Sequence, residues 1–289
     1  MITPLKIQKM KKEGIKIAAV TSYDYSTAKY ADDAGIDLIL VGDSAAQVIL
    51  GYDNTTKITL EEMKIFTRAV ANGAKNSLIV VDMPFLSYHT GVFEAVKNAG
   101  MLIQTGANAV KIEGCSDYII EVIEHLTNSG IPVMGHLGFT PQYINTIGGN
   151  FIQGKNLKNT IQILEYAKKI QNAGAFSIVL EMVPDICAKY ISENLEIPVI
   201  GIGAGKYTDG QILVIDDILG KFDGFSPKFA RKYSDLKTII KNSISNYIKD
   251  VKEENFPNSK ESFQLKEEEY EELIGYIQKE GFEKICPKR

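Results

Sequence analysis

The chain has 289 residues, of which 45% are apolar, and carries a formal charge of −4 with three cysteines. That size supports a single large core, such as the roughly 250 residues of an α/β barrel, and the mildly acidic charge argues against a nucleic-acid surface. No apolar run approaches the roughly 20 residues of a membrane span, and Cys115, Cys187 and Cys286 are too scattered for a disulfide framework or a zinc site, so the sequence predicts a cytoplasmic protein without a membrane partner.

In chain order, Thr3-Pro4 followed by Leu5 to Gly14 predicts a short capped helix. Lys16 to Thr21 predicts a first strand, Ser26 to Gly35 a helix, and Asp37 to Asp43 a second strand. Thr59-Leu-Glu-Glu62 is a capping box that opens a helix closing at Asn72-Gly73. Leu78 to Asp82 then reads as a strand, Gly91 to Gly106 as a helix, 109–113 as a strand and Asp117 to Gly130 as a helix. The same alternation runs on through strands at 132–136, 176–181 and 197–202, with helices at 156–174 and 184–194 between them. Gln211 to Ile215 supplies an eighth strand. Apolar strands alternating with helices predict a parallel sheet covered on both faces, and a count near eight predicts a (β/α)8 TIM barrel. Beyond Gly220, Phe229 to Val251 predicts one or two helices. Lys260 to Arg289 reads as a charged, solvated helix; the alternative is that Leu273, Ile274 and Ile277 dock one face of it on the body.

Five of the strands stop at an ionisable residue: Asp43, Asp82, Glu113, His136 and Glu181. In a barrel those ends converge on the active-site face. Asp43, Asp82 and Glu113 would repel one another unless a cation sat among them, and hard oxygen ligands select Mg²⁺ or a similar ion. Alternation puts Ala109, Lys111 and Glu113 on one face of their strand, opposite the apolar Val110 and Ile112. The polar set therefore points into the barrel. Lys111 is there either a structural ion-pair partner, a clamp for a substrate carboxylate, or a Schiff-base nucleophile. His136, before a glycine-containing turn, is a candidate catalytic residue. Glu181 ends the most apolar strand, where burial raises a carboxylate pKa toward that of a general base. Gly201-Ile-Gly-Ala-Gly205 lacks the spacing of a dinucleotide fingerprint and is a weak anion-site signal.

Ordered motifs then carry a resemblance. They are Val20-Thr-Ser-Tyr-Asp24, Val41-Gly-Asp-Ser44, Leu50-Gly-Tyr-Asp53, Asp82-Met-Pro-Phe-Leu-Ser-Tyr88 and Val110-Lys-Ile-Glu-Gly114 in the first half. In the second half they are Gly135-His-Leu-Gly-Phe-Thr-Pro-Gln142, Phe176-Ser-Ile-Val-Leu-Glu181, Gly201-Ile-Gly-Ala-Gly205 and Asp209-Gly-Gln-Ile-Leu-Val214. The chain resembles the ketopantoate hydroxymethyltransferases of pantothenate and coenzyme A synthesis, from about residue 3 to 263. The resemblance implies a catalytic barrel over 1–263 and an extension over 264–289. It implies Asp43, Asp82 and Glu113 as magnesium ligands, and Asp43, Ser44, Asp82 and Lys111 as oxoacid contacts. It also implies Glu181 as proton acceptor and His136 beside the substrate. The implied reaction moves a hydroxymethyl group from 5,10-methylenetetrahydrofolate to 3-methyl-2-oxobutanoate through a metal-stabilised enolate, in a homodecamer of two pentameric rings. His89, Thr55-Thr-Lys57 and Lys206-Tyr-Thr depart from the family pattern in loops at the barrel mouth. The alternatives are a relative of phosphoenolpyruvate mutase and isocitrate lyase, a Schiff-base aldolase, and a non-catalytic barrel.

Overall fold

A computed structural model describes residues 1–224 and 227–281. Cys286 and the last eight positions of the predicted extension lie outside the described residues. Eight parallel strands close on themselves in sequence order. They are β1 (Ile17–Thr21), β2 (Leu38–Val41), β3 (Leu78–Asp82), β4 (Ala109–Glu113), β5 (Val133–Gly138), β6 (Ser177–Glu181), β7 (Val199–Ile202) and β8 (Gly210–Leu213). The helices up to the fifth strand are α1 (Pro4–Lys12), α2 (Tyr25–Asp33), α3 (Ala45–Val48), α4 (Leu60–Gly73), α5 (Val92–Thr105) and α6 (Asp117–Asn128). After it come α7 (Ile144–Ile147), α8 (Leu157–Asn172), α9 (Asp185–Glu193), α10 (Ile215–Leu219), α11 (Leu236–Lys252) and α12 (Glu267–Glu280).

The period-two pattern of the strands sorts their side chains into two cores. Ile39, Val81, Val110, Ile112, Ile178 and Leu180 pack outward under the helices. Leu38, Leu40, Leu78, Val80, Ala109, Met134 and Val179 fill the barrel interior. Ile7 and Met10 of α1 belong to that interior cluster, so α1 plugs the barrel at the N-terminal ends of the strands. Thr3 caps α1 by accepting from the Lys6 N–H at 3.2 Å. Lys11 pins the plug by donating to the Ser192 and Ile197 carbonyls at 2.8 and 3.0 Å and pairing with Asp209 at 2.9 Å.

Elsewhere the ring is held by short side-chain latches. The Thr59–Glu62 capping box forms as expected. On α2, the buried Asp32 accepts from the Lys75, Asn76 and Ser77 N–H groups and from the Ser77 hydroxyl, the last two at 2.7 Å. Burial works against ionisation of Asp32, but those donors outweigh it and hold its pKa well below the usual carboxylate range.

Some boundaries differ from expectation. The eighth strand is Gly210–Leu213, because the Ile215 N–H turns away to the Thr21 hydroxyl at 3.0 Å and opens α10. The helix expected from Phe229 starts at Leu236, where Asp235 accepts from the Thr238 N–H. The described chain forms two compact units, Met1–Ser234 and a second from Asp235 onward. Neither helix of the second unit buries a residue: Leu273 is exposed, and Ile274 and Ile277 are half-buried. Among the described residues no helix is long and apolar enough to cross a membrane.

Candidate active site

Strand register explains which ionisable groups meet. β3 pairs with β4 so that Asp82 lies opposite Lys111, and β4 pairs with β5 so that Glu113 lies opposite His136. Glu181 lies opposite Gly138 at the end of β6. Gly138 has φ 91°, and a Cβ there would stand 2.1 Å from the Glu181 carbonyl oxygen. Only glycine lets the two strand ends approach so closely.

All seven residues singled out in the sequence line one cavity of about 1250 Å³ at the C-terminal mouth of the barrel. Asp43, Asp82, Lys111, Glu113 and His136 are each no more than 4% exposed, and the Glu181 side chain is 16% exposed. Lys111 Nζ lies 2.8 Å from Asp82 Oδ1 and 3.9 Å from Glu113 Oε1. It also approaches His136 Nδ1 at 3.2 Å. On the other side of the imidazole, Nε2 is 3.3 Å from Glu181 Oε2. Asp82 Oδ2 accepts from the Asp43 N–H at 2.9 Å.

The charges are strained by burial. Asp43 is raised well above the usual carboxylate range, first by burial and then by the Asp82 and Glu113 charges. Glu113 and Glu181 are raised chiefly by burial. His136 is lowered by burial and by Lys111, which keeps the imidazole neutral. Burial would lower Lys111 too, but Asp82, Glu113 and Asp43 outweigh it and push its pKa up. Lys111 is therefore a fixed ammonium and a poor Schiff-base nucleophile. His136 Nδ1 stands 3.2 Å from both the Lys111 ammonium, which can only donate, and Glu113 Oε1, while Nε2 faces Glu181.

Among the described residues no three His, Cys, Asp or Glu side chains form a ready-made metal cage. Glu113 is drawn aside, accepting from the Gln142 N–H at 3.0 Å. The donor set still fits a hard divalent ion. Three carboxylates share one ammonium, and Asp82 Oδ1, although ion-paired, is buried without an aligned hydrogen-bond donor. Mg²⁺ is commonly held by one or two carboxylates, with waters and substrate completing its shell.

Three neighbours escaped the sequence reading. The Tyr23 hydroxyl meets Ser44 Oγ at 2.8 Å. Tyr88 and Gln142 lie fully buried behind the acids. All three stand inside the quoted motifs, but nothing in their residue types marks them. Of the departures from family pattern, Thr55 lines the cavity with a buried hydroxyl that has no hydrogen-bond partner. His89 instead stacks on Tyr88, with ring centroids 4.0 Å apart.

A closed α/β barrel with a buried acid–base cluster at its C-terminal mouth defines a barrel enzyme. Among solved structures, the chain is similar to phosphonopyruvate hydrolase in complex with oxalate and Mg²⁺, with a TM-score of 0.59 and 11% identity over 96% of this chain and 98% of the other. It is also similar to 2,3-dimethylmalate lyase, a member of the phosphoenolpyruvate mutase/isocitrate lyase superfamily, with a TM-score of 0.58 and 14% identity over 99% and 100% of the two chains. These likenesses concern the fold.

A sequence model of ketopantoate hydroxymethyltransferase matches residues 1–259. The 3-methyl-2-oxobutanoate hydroxymethyltransferase of Caldicellulosiruptor saccharolyticus is 49% identical over 91% of this chain and 99% of its own length. That of Thermosipho melanesiensis is 54% identical over 86% and 94%. That of Clostridioides difficile is 52% identical over 91% and 96%. The chain belongs to the ketopantoate hydroxymethyltransferase family and is a transferase.

Proposed function

We propose that this enzyme transfers a hydroxymethyl group from 5,10-methylenetetrahydrofolate to 3-methyl-2-oxobutanoate through an enolate, giving 2-dehydropantoate for pantothenate synthesis. The observation that carries this reading is the cluster itself: a buried base, Glu181, faces the same cavity as the fixed Lys111 ammonium and the Asp43–Asp82 pair. The names of the relatives support the substrate.

Asp43 and Asp82 would hold a Mg²⁺ ion, with Glu113 behind them, and that ion would supply Lewis-acid polarisation of the keto oxygen. Lys111 offsets the negative charge of the oxoacid carboxylate, and Ser44, braced by Tyr23, offers it a hydroxyl proton. Glu181 takes the C3 proton; its raised pKa makes it a stronger base than an exposed carboxylate. His136 Nε2, 3.3 Å from Glu181 Oε2, would orient the Glu181 carboxylate. The resulting C3 nucleophile attacks the methylene carbon of the folate, one water is consumed, and tetrahydrofolate leaves.

The test is a turnover assay with 3-methyl-2-oxobutanoate, methylenetetrahydrofolate and Mg²⁺, read by mass spectrometry of the oxoacid product. Absence of 2-dehydropantoate with folded protein would overturn the assignment. We also propose the homodecamer that the family resemblance implies; light scattering should give a mass near ten 32.0 kDa chains, and a monomer or dimer mass would refute it.

A further inference from the structure

Gln142 sits in the short 3-10 turn Pro141–Tyr143 that follows β5, and is 3% exposed. Its amide nitrogen donates to Asp43 Oδ2 at 2.9 Å and to the Met83 carbonyl at 3.0 Å. Its amide oxygen accepts from the Tyr88 hydroxyl at 2.7 Å. Its backbone N–H donates to Glu113 Oε2 at 3.0 Å. Tyr88, itself fully buried, accepts in turn from the Glu113 N–H at 3.3 Å.

Every polar group on this side chain is used, and the directions interlock. Because Tyr88 receives the Glu113 N–H, its own proton points to the Gln142 oxygen. That fixes the amide so its NH₂ faces Asp43. One residue thus grips two of the three crowded carboxylates, Asp43 through its side chain and Glu113 through its backbone. A glutamate would fail here, because it would add a fourth negative charge and bring no donor. A leucine would fill the space but release Asp43. Buried networks of this kind are informative only when fully satisfied, as this one is.

We propose that Gln142 is a positioning residue that holds Asp43 and Glu113 in the orientation needed to receive the oxoacid and its divalent cation. The proposal rests on the reaction assigned above. Outer partners of metal-binding carboxylates typically set affinity by about 10- to 100-fold.

The test is a double-mutant cycle on the full-length protein. Gln142→Leu and Asp43→Asn are made singly and together, and Tyr88→Phe serves as a milder variant that removes the hydroxyl that anchors the amide and accepts from the Glu113 N–H. The dissociation constant for Mn²⁺ is read by electron paramagnetic resonance, alongside kcat/KM and the thermal midpoint. Gln142→Leu should weaken Mn²⁺ binding about 10- to 100-fold. Tyr88→Phe should do the same to a smaller extent. With Asn at position 43, Gln142→Leu should change the constant by no more than about two-fold, the scatter expected where coupling is absent. Equal losses in both backgrounds would show a merely structural role and overturn the proposal. So would wild-type Mn²⁺ affinity in Gln142→Leu. If Gln142→Leu does not fold, the cycle is closed with Tyr88→Phe against Asp43→Asn and judged by the same criterion. A wild-type chain with a coupled Mn²⁺ site but no turnover would sink the assigned reaction and leave the positioning intact. If the wild type turns over without binding Mn²⁺, the same cycle read in kcat/KM decides. A chain that does neither overturns both.

Discussion

Glu181→Gln isolates the proposed proton transfer, because it keeps the side-chain shape and removes the proposed base. Enolate formation needs no folate. In D₂O with oxoacid and Mg²⁺ but no donor, the wild type should therefore exchange the C3 proton of 3-methyl-2-oxobutanoate, followed by proton NMR. A general base contributes roughly 10² to 10⁴ in rate, or about 3 to 5 kcal/mol of barrier. The structure places the variant near the full effect. Among the described cavity residues His136 is a poor substitute, because its Nδ1 faces the Lys111 ammonium and its pKa is lowered by burial and by that charge. Glu113, raised to about 7, is held instead by the Gln142 N–H at 3.0 Å. Exchange should therefore fall by most of that factor. Binding should hardly change, because the partner of the Glu181 carboxylate is His136 and not Asp43, Asp82 or Lys111. Oxoacid and Mn²⁺ affinities should stay within a few-fold. If exchange survives within a few-fold while metal affinity collapses, Glu181 is a ligand and the base lies elsewhere.

Three further outcomes are expected. Excess EDTA should abolish turnover and Mg²⁺ restore it, and Asp82→Asn should weaken cation and oxoacid together, since Asp82 is a proposed cation ligand and pairs with Lys111 at 2.8 Å; full activity in EDTA would refute this. Asp32→Asn should destabilise the fold by about 2–4 kcal/mol at pH 7, through weakened charge-assisted bonds and a mispaired donor in the 75–77 turn. Because the folded pKa of Asp32 is depressed, its contribution is complete above the unfolded value near 4 and disappears as pH falls through the lower folded value. Urea melts of the two proteins should therefore differ constantly above about pH 5 and converge in acid, and a gap that persists unchanged at pH 2–3 would contradict the assignment. Truncation after Phe263 should leave the barrel folded and active by circular dichroism and turnover, since α12 buries nothing; insoluble or inactive protein would make residues 264–289 structural.

The barrel is legible in the sequence because most strands are short apolar runs, and β3, β4 and β6 keep an inward–outward alternation to the last residue. Lys111 and Glu113 illustrate it: with Val110 and Ile112 assigned to the outer core, the two charged residues have only the interior left. Their partners are another matter. Which strand end faces which depends on the stagger of the closed sheet, and no local pattern encodes Asp82 opposite Lys111. Gln142 reaches Asp43 across 99 positions of chain, so its role becomes visible only once the barrel has closed. The short turns Thr55–Lys57 and Pro141–Tyr143 are too brief to carry periodicity, and the sequence pattern does not mark them. α11 begins later than the pattern implies because Asp235, rather than the apolar content after Phe229, sets its start.

The plug formed by Ile7 and Met10 has a kinetic consequence. Among the described residues a barrel stoppered at one end opens at the other, and both reactants of the proposed condensation would use that mouth. The carboxylates and Lys111 lie at the strand ends, whereas Phe139, Ile152 and Phe229 line the same cavity from the loops beyond them. In the proposed reaction a bulky folate seated against those loops would stand between the inner pocket and solvent. The oxoacid would then enter first and the lengthened oxoacid leave last. Steady-state kinetics should accordingly be compulsory-order, with the oxoacid product competing against 3-methyl-2-oxobutanoate and not against the folate. Random-order patterns would mean that the doorway stays wide enough for the two to pass each other.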